Sequence, residues 1–225
     1  MARPQTSEKN SATTVRGAAT RARIVEAASR LVAENGVAGT RLDDILVASG
    51  ASKSQIYHYF SGREALMGAV VELLSEGVLQ FQRACLNKVT SFEDLRTWRD
   101  MIVAINRAKH CAGGCPIGSL ASELADRSEA ARDVLARSFG QWDAHLLSAL
   151  GRMRGEGSLS PAADIPQLAT GLLTALQGGL LIAQTMRTTR PLEVALDMAL
   201  DHVSRQTNCG GPWERGQAEA PSPAR

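Results

Sequence analysis

The sequence predicts an all-α chain, with a small N-terminal three-helix unit joined to a larger helical body. Three observations carry this. Apolar residues recur at helical spacing from about residue 21 to residue 205, with no strand-like alternation. Aromatic residues are only 4 % while Ala and Leu are abundant, a mix that favours helix packing over a β-sandwich. Caps and Gly or Pro stops punctuate the periodic segments. With 225 residues, 44 % of them apolar, the chain can hold one large domain or a small domain plus a larger one.

The elements follow in order. Helix one runs from about Arg21 to Asn35 on Ile24, Ala28 and Leu31, and Asn35-Gly36 stops it. Helix two covers about Leu42–Ser49, with Thr40 as the expected N-cap and Gly50 as its end. Helix three is short, about Ser52–Tyr57, opened by a Ser52/Gln55 capping box. Ser61-Gly62-Arg63-Glu64 reads as a second capping box for helix four, which continues through Leu66, Val70, Leu74 and Phe81. Helix five spans about Ser91 to His110, and the run Cys111-Ala-Gly-Gly-Cys-Pro116 breaks the pattern. A short helix at about Ile117–Ala125 follows. Asp126 or Ser128 caps a long one reaching about Glu156. Asp164 and Gln167 cap a helix to about Arg187, and the last runs from Pro191, a favoured first-turn residue, to about Arg205. The expected organisation is a disordered basic arm at 1–19, a helix-turn-helix domain at 20–65, a helical body at 66–207 and a flexible tail at 208–225.

Charge separates the two parts. Residues 1–63 hold nine Lys/Arg against five acids, whereas the whole chain holds 25 against 23, so the remainder is slightly acidic. A basic first third suits a polyanion. The N-terminus is polar with no apolar signal core, so a cytoplasmic location is expected, with Cys85, Cys111, Cys115 and Cys209 as reduced thiols. Leu168–Ala183 is very apolar, but Thr170, Gly171, Thr174, Gln177, Gly178 and Gly179 interrupt it, so no membrane span is assigned.

The informative stretch is GTRLDDILVASGASKSQIYHYFSGRE, Gly39–Glu64. Two short helices flank a turn at Ser49-Gly50-Ala51, where Gly suits a positive φ. Ile45 and Ile56 are placed to bury against helix one. The other face of helix three then offers Lys53, Ser54, Gln55, Tyr57 and His58, hydroxyl, amide and cationic groups of the kinds that touch base edges and phosphates. In a helix-turn-helix the second helix enters the major groove.

The pattern Gly-x-x-x-Thr…Asp-Ile…Gly-x-Ser-x-x-x-Ile-Tyr-x-Tyr-Phe-x-x-Arg-Glu-x-Leu resembles the DNA-binding domain of the TetR family, over residues 21–66. The resemblance implies a dimeric transcriptional repressor that binds a palindromic double-stranded operator and is released by a small-molecule effector. It implies DNA contacts from Thr40, Arg41, Ser52, Lys53, Ser54, Gln55, Tyr57, His58 and Arg63, the last at a phosphate-holding position; Arg41 stands where a Ser or Thr is frequent. Phe60 and Ile45 are core, and Tyr59 is expected to pack between helices three and four. Arg16, Arg21 and Arg23 read equally as a phosphate-seeking arm or a solvated leader.

The helix from Asp164 is apolar on nearly all sides and so needs cover on two faces. With the helix from Pro191 it resembles the four-helix dimer interface of the same family, implying Leu172, Leu176, Gly179, Leu180, Val194 and Met198 at the contact. A monomer's core helix is the alternative. The expected effector pocket is lined by Trp98, Met101, Ile102, Ile105, Cys115, Trp142, Leu146, Leu173 and Gln177, residue types that are more often plain core. Few charges fall on those faces, so the expected effector is apolar or weakly polar.

Gly114-Cys115-Pro116-Ile117-Gly118 with the following Ser-Leu-Ala-Ser-Glu-Leu resembles the LmrA/YxaF-like branch of the family, and also NemR around the Gly-Cys-Pro segment. A thiol- or electrophile-sensing role for Cys115 is one alternative, since a helix N-terminus favours a thiolate; a buried filler is the other. His110, Cys111 and Cys115 lack a second ligand pair, so no metal is assigned, and no cofactor is expected. There is no nucleophile elbow, phosphate-cradling Gly loop or HExxH, so no enzyme is expected. A helical dimeric scaffold without DNA binding is the remaining alternative, and it leaves the polar face of helix three without a purpose.

Overall fold

The computed structural model describes residues 7–207, with side chains from residue 15 onward. Among the described residues there are nine helices and no strand beyond an isolated Leu159–Thr207 bridge. The helices are α1 Ser7–Gly39, α2 Leu42–Ser49, α3 Lys53–Tyr59, α4 Arg63–Leu86 and α5 Phe92–Ala108, followed by α6 Pro116–Leu124, α7 Glu129–Gly155, α8 Ile165–Met186 and α9 Arg190–Ser204.

The described part of the expected N-terminal arm is helical, because α1 begins at Ser7. Residues 11–20 are rich in Ala and free of Pro, so nothing in the backbone stops the helix there. Gly17 takes the Tyr59 hydroxyl close to its backbone, and the Arg21 guanidinium lies 5.1 Å from the centre of the Phe60 ring. Tyr59 therefore reaches α1. The first six residues, Cys209 and the tail from 208 lie outside the described residues.

Gly36 breaks α1 at φ 71°, ψ 172°, a conformation that suits glycine. Thr40 is not the α2 cap. Its side chain is buried and its hydroxyl donates to the Gly36 carbonyl at 2.8 Å, while Arg41 is the N-cap and Asp44 accepts from the Arg41 N–H at 3.3 Å. Gly50, at φ 62°, turns the chain into α3. Its predecessor Ser49 is buried, donates to the Ile45 carbonyl at 2.6 Å and accepts from the Ala51 N–H at 3.3 Å. Ser61 does not cap α4; Gly62 does, with no side-chain bond. Ile24, Ile45, Ile56 and Leu66 are almost fully buried and hold α1–α3 against the start of α4.

In the body, α4 packs on α7 and α8 packs most extensively on α9. Ser91 and Asp94 form the box that opens α5, Ser128 caps α7, and Asp164 caps α8. The α5–α6 connection is a tight coil in which His110, Cys111, Gly113 and Gly114 all have positive φ. Arg152 of α7 ties down the end of α4, donating to the carbonyls of Leu86 and of Val89.

Candidate nucleic-acid interface and ligand cavity

Helix α3 is only seven residues long, too short to be stable alone, and local bonds hold its first turn. Gln55 N–H donates to Ser52 Oγ at 3.2 Å, the Ser52 N–H donates to Gln55 Oε1 at 2.9 Å, and Ser52 Oγ lies 2.9 Å from Ser54 Oγ. Ile56 is buried beneath the helix, whereas Lys53, Ser54, Tyr57 and His58 are exposed. Tyr57 leaves 54 % of its surface open, which is large for an aromatic ring with no burial partner to satisfy. His58 stands edge-on to Tyr59 at 4.9 Å between centroids. The structure thus gathers Lys53, Ser54, Tyr57 and His58 on one accessible helix, while Ser52 and the carbonyl end of Gln55 are engaged in the cap.

Two expected phosphate groups are placed otherwise. The Arg63 guanidinium donates through Nη1 to the Thr40 carbonyl and through Nη2 to the Val37 carbonyl, both at 2.7 Å. Its planar fork spans both carbonyls, that of Val37 being shared with the Thr40 N–H at 3.4 Å, so it fastens the α1–α2 connection. Thr40 is turned inward as described, and Arg41 remains exposed at the start of α2.

A cavity of about 340 Å³ opens between α4, α5, α7 and α8 at the start of α6. Of the expected lining, Ile102, Ile105, Cys115 and Trp142 meet there. Val78, Phe81 and Gln82 of α4 complete a wall that sequence reasoning left out, together with Asn106, Lys109, Leu176 and Leu180. Their i, i+3, i+4 spacing on α4 is the signal that identifies them as one face. Trp98 is not in the wall: it is buried and donates its indole N–H to Gln82 Oε1 at 3.0 Å. Leu146 is core, Leu173 packs against the core, and Met101 is 39 % exposed with its sulfur 3.5 Å from that of Cys85. Gln177 faces a second cavity, of about 670 Å³, between α6, α7 and α8.

The Gly-Cys-Pro-Ile-Gly segment has a packing explanation. A Cβ on Gly114 would collide with the Gln184 side chain, and one on Gly118 would stand 2.8 Å from Gln177 Oε1. A side chain at either position would therefore have to displace the end of one of two α8 glutamines, which lie on either side of Cys115. The Gln177 amide also lies 3.5 Å from Cys115 Sγ. Position at the α6 N-terminus does not make this thiol acidic. Burial pushes it up, outweighing the lowering by hydrogen bonds from Gly118, Gln177 and Ile117.

The expected dimer residues divide. Leu172, Leu176, Gly179 and Leu180 are buried inside the subunit, and Gly179 lets α9 approach so closely that a Cβ there would sit 2.9 Å from Leu192 Cα. Val194 and Met198 are exposed, joined by Leu181, Ile182 and Met186. α8 is the one described helix apolar and long enough to cross a membrane, and its outer stripe is the exposed part.

A capped short helix with a polar outer face, set behind a tight turn on a three-helix unit, defines a helix-turn-helix DNA-binding protein. Comparison with known proteins gives the family. Residues 24–70 match the family described as bacterial regulatory proteins, tetR family, and residues 91–199 match the tetracyclin repressor-like C-terminal domain. The chain belongs to the TetR family of transcriptional regulators, which is not a class of enzymes. Among its relatives, the transcriptional repressor DhaR of Mycobacterium sp. (strain GP1) is 27 % identical over 189 residues, 83 % of this chain and 93 % of DhaR. The regulator LmrA of Bacillus subtilis (strain 168) is 26 % identical over 174 residues, 76 % of this chain and 90 % of LmrA. A TetR transcriptional regulator from Chloroflexus aurantiacus J-10-fl shares the fold at TM-score 0.72, with 26 % identity over 85 % of this chain and 98 % of its own. The reduced form of Escherichia coli NemR does so at TM-score 0.70, with 24 % identity over 84 % of this chain and 97 % of its own.

Proposed function

We propose that this regulator represses transcription in the cytoplasm as a homodimer on a palindromic operator, reading each half-site with Lys53, Ser54, Tyr57 and His58. The observation that carries this is the capped α3 with a buried Ile56 side and those four exposed groups opposite. Arg41 supplies a phosphate contact beside it, and the free amide nitrogen of Gln55 is available to the bases. The second copy covers the stripe Leu181, Ile182 and Met186 of α8 with Val194 and Met198 of α9. A twofold dimer sets half-sites about one helical turn apart, ~34–36 Å, or a multiple of it. The effector is an apolar or weakly polar molecule held in the α4–α5–α7–α8 cavity, whose walls are mainly aliphatic and aromatic with Gln82, Asn106 and Lys109 as polar points. It shifts the population toward a form whose two α3 helices no longer match the operator.

The test is a fluorescence-anisotropy titration with DNA flanking the protein's own gene and with duplexes selected from random sequence. Wild type binds one sequence in preference, with affinity falling steeply as salt rises, because phosphate contacts release counterions. The Lys53→Ala/Tyr57→Ala double variant loses at least about tenfold in affinity. A folded wild-type dimer that selects no sequence at low salt refutes the reading and leaves the scaffold alternative.

A further inference from the structure

The five residues from Gly36 to Thr40, from the break in α1 to the start of α2, are held from two sides. On one side the Glu123 carboxylate, near the end of α6, accepts through Oε2 from the Val37 N–H at 2.9 Å and the Ala38 N–H at 3.3 Å. On the other, Arg63 of α4 takes the carbonyls of Val37 and Thr40. Gly36 makes room for the acid: a Cβ there would stand 3.2 Å from both carboxylate oxygens. Glu123 is half-buried, so water competes only in part for these charge-assisted bonds.

The other end of α6 lies at the ligand cavity. Gly114, Cys115 and Pro116 line it, and Gln177 and Gln184 of α8 lie over Gly118 and Gly114, with the Gln177 amide 3.5 Å from Cys115 Sγ. Pro116 to Glu123 is seven residue steps, about 10 Å of rigid helix. The acid also lines the second cavity, beside Ser119 and Ser122. Both N–H groups bond one oxygen, and one of them is already 3.3 Å away, so moving α6 by about 1 Å breaks the pair. A second tie, from Ser128 Oγ to Glu64 Oε1 at 2.7 Å, is exposed and holds only the start of α4.

We propose that Glu123 is a positioning residue for operator binding: its carboxylate latches the α1–α3 head to the body through the Val37 and Ala38 amides, and α6 carries displacement at the cavity to that latch. This rests on the proposed function for its DNA side, but the latch itself is measurable without DNA.

The experiment uses the full-length dimer as wild type, Glu123→Ala and Glu123→Gln. Amide hydrogen exchange is followed in the 36–41 segment and in α2 and α3, and affinity is measured for a duplex selected by the wild type. In Glu123→Ala, Val37 and Ala38 exchange at least about tenfold faster, α2 and α3 follow in lesser degree, and specific affinity drops by about tenfold. Glu123→Gln, whose amide oxygen still accepts, recovers part of each. The direction is diagnostic, since removing an acid by charge alone tightens binding to a polyanion. The dependence of affinity on salt stays parallel to wild type, because Glu123 touches no phosphate. Unchanged exchange at Val37 and Ala38 in Glu123→Ala overturns the latch. Faster exchange with equal or tighter specific binding overturns its positioning role. A wild type that selects no duplex refutes the operator reading alone, and the latch then stands or falls on the exchange data.

Discussion

Replacing Gly179 with alanine tests the close approach of α9 to α8. The added Cβ would lie 2.9 Å from Leu192 Cα, 3.1 Å from Leu192 Cδ1 and 3.4 Å from Ala195 Cβ. Carbon contacts are best at about 3.5–4.0 Å, so α9 must recede by roughly 0.6–1.1 Å, because the first of these atoms is backbone and no rotamer change relieves it. Overpacking of this kind costs about 1–3 kcal/mol. The gain in helix propensity from Gly to Ala is about 1 kcal/mol, which leaves a net loss of up to about 2 kcal/mol. For a chain of this size that lowers Tm by up to ~8 °C. Gly140→Ala in α7 is the control, since the site is exposed and a Cβ there meets nothing within 4 Å. Propensity alone makes it more stable, and it cancels in the comparison of the two variants. The assay is urea unfolding at one fixed protomer concentration, as an associating protein requires. A Gly179→Ala protein as stable as Gly140→Ala refutes the packing argument.

Three further outcomes are expected. Ile182→Glu/Met198→Glu places two charges on the exposed stripe of α8 and α9 and converts the dimer to a monomer in sedimentation velocity; an unchanged dimer moves the interface elsewhere. Native Cys115 reacts with iodoacetamide at pH 7.5 far more slowly than the same thiol in urea, because it is buried and its pKa is raised; equal rates would restore the sensing role. Burial and the neighbouring Arg83 hold His145 below its ordinary 6.5, so the unfolded chain takes up that proton first. Stability is therefore retained above about 6.5 and declines as pH falls below it, and His145→Asn flattens that slope; parallel pH profiles would disprove the assignment.

The features legible in the sequence were those with local causes. The box at Ser52/Gln55 and the Asp164 cap, which accepts from the Gln167 N–H, act within four residues of themselves. Gly50 and Gly36 marked turns because their backbone conformation restricts the residue type. What failed depended on partners distant in the chain. Arg63 reads as a free positive charge, and only folding shows the two carbonyls it occupies. In α8 nearly every side is apolar, so nothing in the composition distinguishes the inward Leu172, Leu176 and Leu180 from the outward Leu181 and Ile182. The cavity wall on α4 was missed for a related reason, since Val78 and Phe81 have the same pattern as core residues.

The cap on α3 bears on how such a protein changes its target. Ser52 and part of Gln55 maintain the fold of the reading helix, so substitutions there trade sequence preference against the integrity of the head. Lys53, Tyr57 and His58 carry no part of that cap, and Ser54 touches it only through the Ser52 hydroxyl. Divergence among paralogues with new operators should therefore accumulate at these four positions while the Ser-x-x-Gln frame persists. A library randomised there, with the frame fixed, is the economical route to a retargeted repressor.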